Sequence, residues 1–271
     1  MLECVVNLSE GRDASIIAAL AEACGPCLLD VHSDYHHHRS VLTVAGDDDT
    51  VQAAVRQLAG RAVVLLDLRG HAGAHPRFGV LDVVPWVALQ GGPVRDPVAG
   101  GATSERARRA RDSFALWAST ELELPVFLYG PERSLPEVRR EAWRALTPDA
   151  GPLLPHPTAG AVAVGCRPLL VAYNLWMTGV DLARARAIAS RIRGPDVRAL
   201  AFALGDHVQL SCNLVNPLVV GPAAVTGVAP APTLENAMVI VARPRVAVPT
   251  PILVISLFML SPLLSLRASR G

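Results

Sequence analysis

A chain of 271 residues, 51% of them hydrophobic, can bury a substantial core in one large domain or two small ones. Its formal charge of +1 argues against nucleic acid as the main partner. All 25 cationic residues are arginine, which excludes Schiff-base chemistry and P-loop nucleotide binding, since each needs a lysine.

The opening MLECVVNLSEGR carries Glu3 and lacks a basic head followed by a long apolar run. It does not read as a signal peptide, and the chain is expected in the cytoplasm. Five scattered cysteines in a reducing compartment imply no disulfide framework.

Residues 3–8 read as a short strand, and Ile16, Ile17, Leu20 and Cys24 then recur at helical spacing until Gly25. Strands follow in CLLDVHSD and SVLTVAG, and Asp47 to Asp49 suit the head of a helix running from about Thr50 to Leu66. VLDVVPWVALQ is apolar on both faces, as a strand covered on each side, or one at a subdomain seam, would be. A helix over about 97–122 and a strand in PVFLYG complete an α+β pattern with mixed pairing. The stretch from Asp149 to Gly160 has no periodicity and reads as a rigid loop.

A second unit begins near Pro168 with the strand PLLVAYNLWM, a helix from Asp181 to Arg193, and the strand pair VRALAFAL and HVQLSCNLV joined at Gly205-Asp206. From about Thr226 the chain is proline-rich and no helical period is legible. Residues 246–266 are uncharged, but Pro249, Pro251 and Pro262 leave about ten uninterrupted residues where a spanning helix needs about 20, so a membrane anchor is not expected.

Several motifs invite chemistry. His71 and His75 have the i, i+4 spacing of a helical zinc site, but Gly73 between them and Pro76 after them oppose a helix, and no metal site is expected. The run His36-His37-His38 reads as a polar loop. CGPC at 24–27 is the tetrapeptide of thioredoxins, yet here a helix ends at the first cysteine instead of beginning there, so no helix dipole would assist a thiolate. The arginines of SERARRAR are expected on a solvated helix face opposite Ala107, Ala110 and Phe114.

The segment RGHAGAHPRFGVLDVVPW is the strongest candidate. His75 is held extended by Pro76 and leads into a strand bearing Asp82 among apolar neighbours, a carboxylate that needs a partner, with Arg77, His71 or His75 in reach. A histidine on a rigid loop, backed by a carboxylate, can shuttle protons near neutral pH. On local chemistry alone a structural polar cluster stands ahead of the catalytic reading.

The blocks ECVVNLSEGR, LLDVHSD, GHAGAHPRFGVLDVVPW, PVFLYG, GPLLPHPTAGAVAVGCRP and VQLSCNLVNP, in this order over about residues 2–225, resemble the glutamate formiminotransferases, folate-dependent enzymes of histidine breakdown. The resemblance implies transfer of a formimino group from N-formimino-L-glutamate to tetrahydrofolate, the folate being a co-substrate. It implies an α+β fold of two ferredoxin-like α/β sandwich subdomains, here 1–167 and 168–271, with a folate tunnel between them and association as homodimers through the N-terminal part. The second subdomain is expected to be incomplete or divergent after about residue 225 and irregular from about 226.

The histidine before proline in the HPR block is the family's catalytic one, which is His75 here. An acidic residue that members carry at the position of His32 passes its role to Asp34, and Asp82 is the candidate carboxylate behind the histidine. The family's folate-binding stretch matches Gly151, Pro152, Leu153, Leu154, Pro155, His156, Pro157, Thr158, Ala159 and Gly160. Arg77 and Arg39 are the candidates for substrate carboxylates, because a guanidinium group binds them in a bidentate way. No metal, nucleic acid or cyclodeaminase activity is expected. Two alternatives stand beside this: a folate-binding or regulatory protein without turnover, and a related transferase using a formyl donor.

Overall fold

The computed structural model describes residues 1–73, 76–89, 105–177, 179–204, 207–217, 219–227 and 234–240. These fall into two units, one ending at Leu169 and one beginning at Leu170.

In the first unit, strand β1 (Leu2–Leu8) leads to helix α1 (Ala14–Ala23), which starts where the Asp13 carboxylate accepts the backbone N–H groups of Ser15 and Ile16. Strands β2 (Leu28–Asp34) and β3 (Arg39–Gly46) form a hairpin. Helix α2 (Asp48–Leu65) is capped by Asp47, with Asp48 and Asp49 in its first turn favoured by the helix dipole. Strand β4 (Leu81–Ala88), helix α3 (Glu105–Glu121), strand β5 (Val126–Tyr129), helix α4 (Leu135–Glu141) and strand β6 (Val162–Cys166) follow. The sheet order is β2-β3-β1-β4-β6-β5; the first four strands are antiparallel, and β6 runs parallel to both β4 and β5.

The helices explain the double burial of β4. On one face, Val51, Val55, Leu58 and Ala62 of α2 and Ala107 and Phe114 of α3 pack on Leu2, Cys4, Val84 and Trp86. These α2 positions recur every three to four residues, so a single stripe of the helix reaches the core. On the other face, Val83, Phe127, Ala163 and the α4 residue Val138 form a smaller core. Only Ala88 in β4 is not fully buried, as its apolar sequence predicts.

Two elements carry little sequence signal. Helix α4 begins with a capping box, in which the Ser134 hydroxyl accepts the Glu137 N–H while the Glu137 carboxylate accepts the Ser134 N–H, but its seven residues are too few to show a period. Strand β6 is buried at every position and so shows no alternation. The solvated-face expectation for SERARRAR needs one correction. Arg106, Arg108 and Arg109 are exposed, but Arg111 is 2% exposed and makes a bidentate pair with Glu132, which neutralises its charge inside the protein. The part of the expected helix before Glu105 lies outside the described residues.

The second unit holds β7 (Val171–Met177), α5 (Leu182–Ile192), capped by Asp181, then β8 (Val197–Leu204), β9 (His207–Leu214), α6 (Pro222–Thr226) and β10 (Leu234–Ile240). Its antiparallel sheet has the order β10-β7-β9-β8. Tyr173, Leu175, Ile188, Leu210 and Leu214 belong to its core. Within the stretch from about 226 expected to be irregular, a strand pairs its main chain with β7 from Leu234 to Ile240, and residues 228–233 and 241–271 lie outside the described residues. The run between Pro232 and Pro244 contains no proline, so every residue of it can donate to a ladder. The uncharged segment 246–266, not expected to be a membrane anchor, lies outside the described residues, and among those described no helix is long and apolar enough to cross a membrane.

Both units therefore run strand, helix, strand, strand, helix, strand in their first or only six elements, and in each the first strand lies between the fourth and the third.

Candidate functional site

The loop leading into β4 is fixed by the end of β1, the β2–β3 turn, α4 and the segment before β6. The Ser9 hydroxyl donates to the Gly79 carbonyl at 2.7 Å, and the Ser9 N–H donates to the Val80 carbonyl at 2.9 Å. Gly73 lies so close to the turn that a Cβ there would come within 2.4 Å of the His37 carbonyl oxygen, so only glycine fits without movement. A Cβ on Gly79 would meet the Ala161 carbonyl oxygen at 1.7 Å.

His75 lies outside the described residues, but its neighbours on both sides are held by arginines. Arg77 Nη2 donates to the Gly73 carbonyl at 2.6 Å, and Arg139 Nη1 donates to the Pro76 carbonyl at 2.8 Å. The same Arg139 pairs with Asp82 at 2.6 Å, and Asp82 also accepts the Phe78 N–H at 3.1 Å. Asp82 is 1% exposed, and among the described residues it forms an ion pair with Arg139; of the partners the sequence pointed to, Arg77, His71 and His75, the last lies outside the described residues. Arg139 stands 57 residues away in the chain, a separation that no local spacing encodes.

Arg39 hydrogen-bonds to the Asn7 side chain. Burial lowers its pKa to about 10, against which the Asp82 charge acts, while Arg139 and Arg77 add to the lowering. Arg77 is likewise lowered by burial, with Asp82 opposing and Arg12 and Arg139 contributing. The two carboxylates Glu10 and Asp82 thus stand among four guanidinium groups, those of Arg12, Arg39, Arg77 and Arg139, so this end of the sheet is electropositive and suited to anionic ligands.

His71 and His38 lie ring to ring, with centroids 3.9 Å apart. His71 Nδ1 faces Arg77 Nη1 at 2.6 Å, and its Nε2 faces the His38 carbonyl at 3.0 Å. His38 Nε2 stands 3.6 Å from Glu10, whose carboxylate also accepts the N–H groups of Arg12 and Asp13. His38 has φ 50, the left-handed region that a residue with a side chain enters at a cost, so the turn carries backbone strain at this residue. Both imidazoles are held below the ordinary histidine pKa, in each case mainly by burial.

Asp34 is engaged on the far side of the same turn. It accepts the His37 N–H at 2.7 Å and faces His37 Nδ1 at 2.9 Å. Burial acts to raise its pKa, yet these bonds outweigh burial and bring it down to about 2. Asp34 is thus an ionised acceptor tied to His37 and close to the turn bearing His38.

The segment 151–160 divides in two. Its second half is joined to the histidine loop: the Leu68 N–H donates to the Thr158 carbonyl at 2.8 Å, the Val80 N–H to the Ala159 carbonyl at 2.9 Å, and the Ala161 N–H to the Phe78 carbonyl at 2.8 Å. His156 and Gly160 exchange backbone hydrogen bonds, and His156 Nδ1 accepts the N–H groups of Thr158 and Ala159, which puts the ring proton on Nε2. Gly160 has φ +71, and a Cβ on it would meet the Phe78 carbonyl oxygen at 2.3 Å. The first half is anchored elsewhere. Gly151, with φ +84, abuts the Leu124 carbonyl, and the Trp143 indole N–H donates to the Leu153 carbonyl at 3.0 Å. Leu153 and Leu154 are 68% and 76% exposed, an apolar pair presented on a stiff support.

Of the residues singled out in the sequence, Arg39, Arg77 and Asp82 share one charged cluster, and the segment from His156 to Gly160 is joined by backbone bonds to the loop that carries it. Asp34 sits at the turn, and Gly151 to Pro155 lie along the other anchor. Sequence reasoning missed Arg139, Glu10, His38 and Asn7; Glu10 lay in the quoted block NLSEGR, but nothing in that block says which side chain it meets. The CGPC stretch forms a short 3₁₀ turn after α1, with Cys24 and Cys27 both buried. Burial raises the Cys24 thiol pKa to about 12 and raises that of Cys27 as well.

The family model of the formiminotransferase domain, N-terminal subdomain, matches residues 1–167. A glutamate formimidoyltransferase of Streptococcus pyogenes serotype M1 is 35% identical over 242 residues, covering 80% of this chain and 78% of that protein. One from Thermoplasma acidophilum is 34% identical over 247 residues, covering 80% of this chain and 77% of that protein. A formimidoyltransferase-cyclodeaminase of Sus scrofa is 33% identical over 257 residues, which are 82% of this chain and 45% of that longer protein.

Proposed function

This chain belongs to the formiminotransferase family, and from that premise we propose that it is a glutamate formimidoyltransferase, moving the formimino group of N-formimino-L-glutamate to tetrahydrofolate with His75 as the proton-carrying group. A folate nitrogen attacks the amidine carbon and loses a proton. The tetrahedral adduct then expels the glutamate nitrogen, which must gain one to leave. A single imidazole can accept the first proton and return it to the second nitrogen near neutral pH, with little tuning of its pKa. Holding two substrates in register supplies much of the remaining acceleration.

The observation that carries this reading is the double clamp on the histidine loop. The carbonyls of Gly73 and Pro76, on either side of Ala74-His75, each accept a guanidinium N–H, and Arg139 is itself fixed by the buried Asp82. A proton carrier between two bound substrates needs its backbone fixed in this way. In this reading Asp82 acts through Arg139, Arg39 and Arg77 meet substrate carboxylates, and Asp34 holds the turn. The 151–160 segment forms the folate contact, with Leu153 and Leu154 offering apolar surface to a flat pterin and the His156 Nε2–H a donor.

The strand order of each unit supports reading both as ferredoxin-like, with the boundary near residue 168. A homodimer formed through the N-terminal unit and a cytoplasmic location complete the proposal. The test is an assay with both substrates for glutamate release that depends on tetrahydrofolate. Release with concurrent formation of formiminotetrahydrofolate is expected; binding of folate with no release at millimolar donor would overturn it.

A further inference from the structure

The geometry points to His71 as the positioning residue that aims the Arg77 guanidinium and so sets the affinity of the site for a substrate carboxylate. This rests on the reading of Arg77 as a carboxylate-binding group.

Arg77 Nη1 lies 2.6 Å from His71 Nδ1. A guanidinium has donors only and keeps its charge, so Nδ1 must be the acceptor and the ring proton must sit on Nε2. From there it faces the His38 carbonyl at 3.0 Å and the His38 ring. His38 is in turn braced by Glu10 at 3.6 Å, and Glu10 is fixed by two N–H groups at the head of α1. The other amino group of Arg77 donates to the Gly73 carbonyl. Among the described residues, His71 and the Gly73 carbonyl on the same loop thus orient the guanidinium, and of these two only His71 can titrate.

The device works only while His71 is neutral. Among the described residues, the groups that act on its ring besides Arg77 are His38 and Glu10. Arg12 stands against His38, and Asp82, Arg12 and Arg139 stand against Arg77. Burial first, and then the Arg77 and His38 charges, oppose an imidazolium at this position. At neutral pH the acceptor is therefore present. As pH falls below the ordinary histidine range, protonation removes the acceptor and puts a cation against a cation, which releases Arg77.

The experiment measures KM for formiminoglutamate and for tetrahydrofolate across acid to neutral pH in the wild-type chain and in His71→Ala, His71→Asn and Arg77→Gln. An asparagine places its carbonyl oxygen where Nδ1 stands and cannot protonate. Removing one charge-assisted hydrogen bond predicts a KM for one of the two substrates raised about tenfold in His71→Ala. The same KM should stay near wild type in His71→Asn, without the acid-side rise seen in wild type. Unchanged KM values for both substrates in His71→Ala, or an acid-side rise that survives in His71→Asn, would overturn the inference. If His71→Ala does not fold, the His71→Asn profile decides alone. Unchanged KM values in Arg77→Gln would instead remove the reading of Arg77 itself, a failure distinguishable from that of His71 acting on it.

Discussion

Arg139 on α4 and Asp82 on β4 form an ion pair at 2.6 Å in which the carboxylate is 2% exposed, and the same guanidinium holds the Pro76 carbonyl beside His75. One arginine thus neutralises a charge in the core and fixes the loop above it. Replacing it by methionine removes the ion-pair partner of a buried carboxylate, a change that costs about 3 kcal/mol, at the low end for such pairs because Arg39 and Arg77 also act on Asp82. Urea unfolding of Arg139→Met should show this loss, and turnover should fall by more than the fraction unfolded accounts for.

Gly73→Ala separates loop placement from stability. Its Cβ would stand 2.4 Å from the His37 carbonyl oxygen and 2.7 Å from the His38 Cβ, so either the histidine loop or the turn must shift. A displacement of about 1 Å at a proton carrier costs on the order of a hundredfold in rate. The expected outcome is kcat/KM lowered by one to two orders of magnitude, as a rough range, with a thermal midpoint shifted by only a few degrees, read from steady-state kinetics and calorimetry.

The Asp34 carboxylate titrates at about 2 in the folded chain, below the ordinary 3.8. A depressed carboxylate contributes stability that is fully present above its unfolded pKa and is lost as pH falls through the folded one. Asp34→Asn should therefore be less stable than wild type at pH 7, by up to about 2 kcal/mol, with the difference closing between pH 4 and pH 2. Denaturant titrations at several pH values read this directly; a deficit that is constant down to pH 2 would assign the effect to packing instead of charge.

The cysteines make an independent test of the CGPC reading. All five are buried, and burial holds Cys24, Cys166 and Cys212 at pKa values of about 12, 11 and 11. Because the thiolate is the reactive form, a disulfide-exchange reagent at pH 8 should label the native chain slowly and the unfolded chain at once. Fast labelling of Cys24 or Cys27 in the native state would reopen a redox role for that turn.

Much of the architecture was legible from residue order. Asp13, Asp47 and Asp181 each stand at a helix head, and the alternation or full apolarity of β1, β3 and β4 identifies strands. What stayed hidden is what depends on contacts between distant residues. Helix α4 is too short to show a period, β6 is buried on both faces, and Arg111 looked like part of a solvated stripe until its fold brought Glu132 against it. In the site, the spacing of His71, His75, Arg77 and Asp82 drew attention to the right loop. It could not reveal that Asp82 answers to Arg139, or that His71 leans on His38, because these pairs close across 57 and 33 residues. The strand Leu234–Ile240 was missed because the prolines around it dominate the local pattern, while its pairing partner β7 lies some 60 residues earlier in the chain, an approximate separation that sequence periodicity does not reach.

The central claim is that His75 carries the proton between the two competing nitrogens. Single-turnover transfer of the labelled formimino group to tetrahydrofolate, compared between wild type and His75→Asn with folate binding titrated in parallel, tests it most directly. The account predicts a transfer rate lowered by roughly two to four orders of magnitude with folate affinity unchanged. A variant that binds folate and transfers the group at the wild-type rate would contradict it.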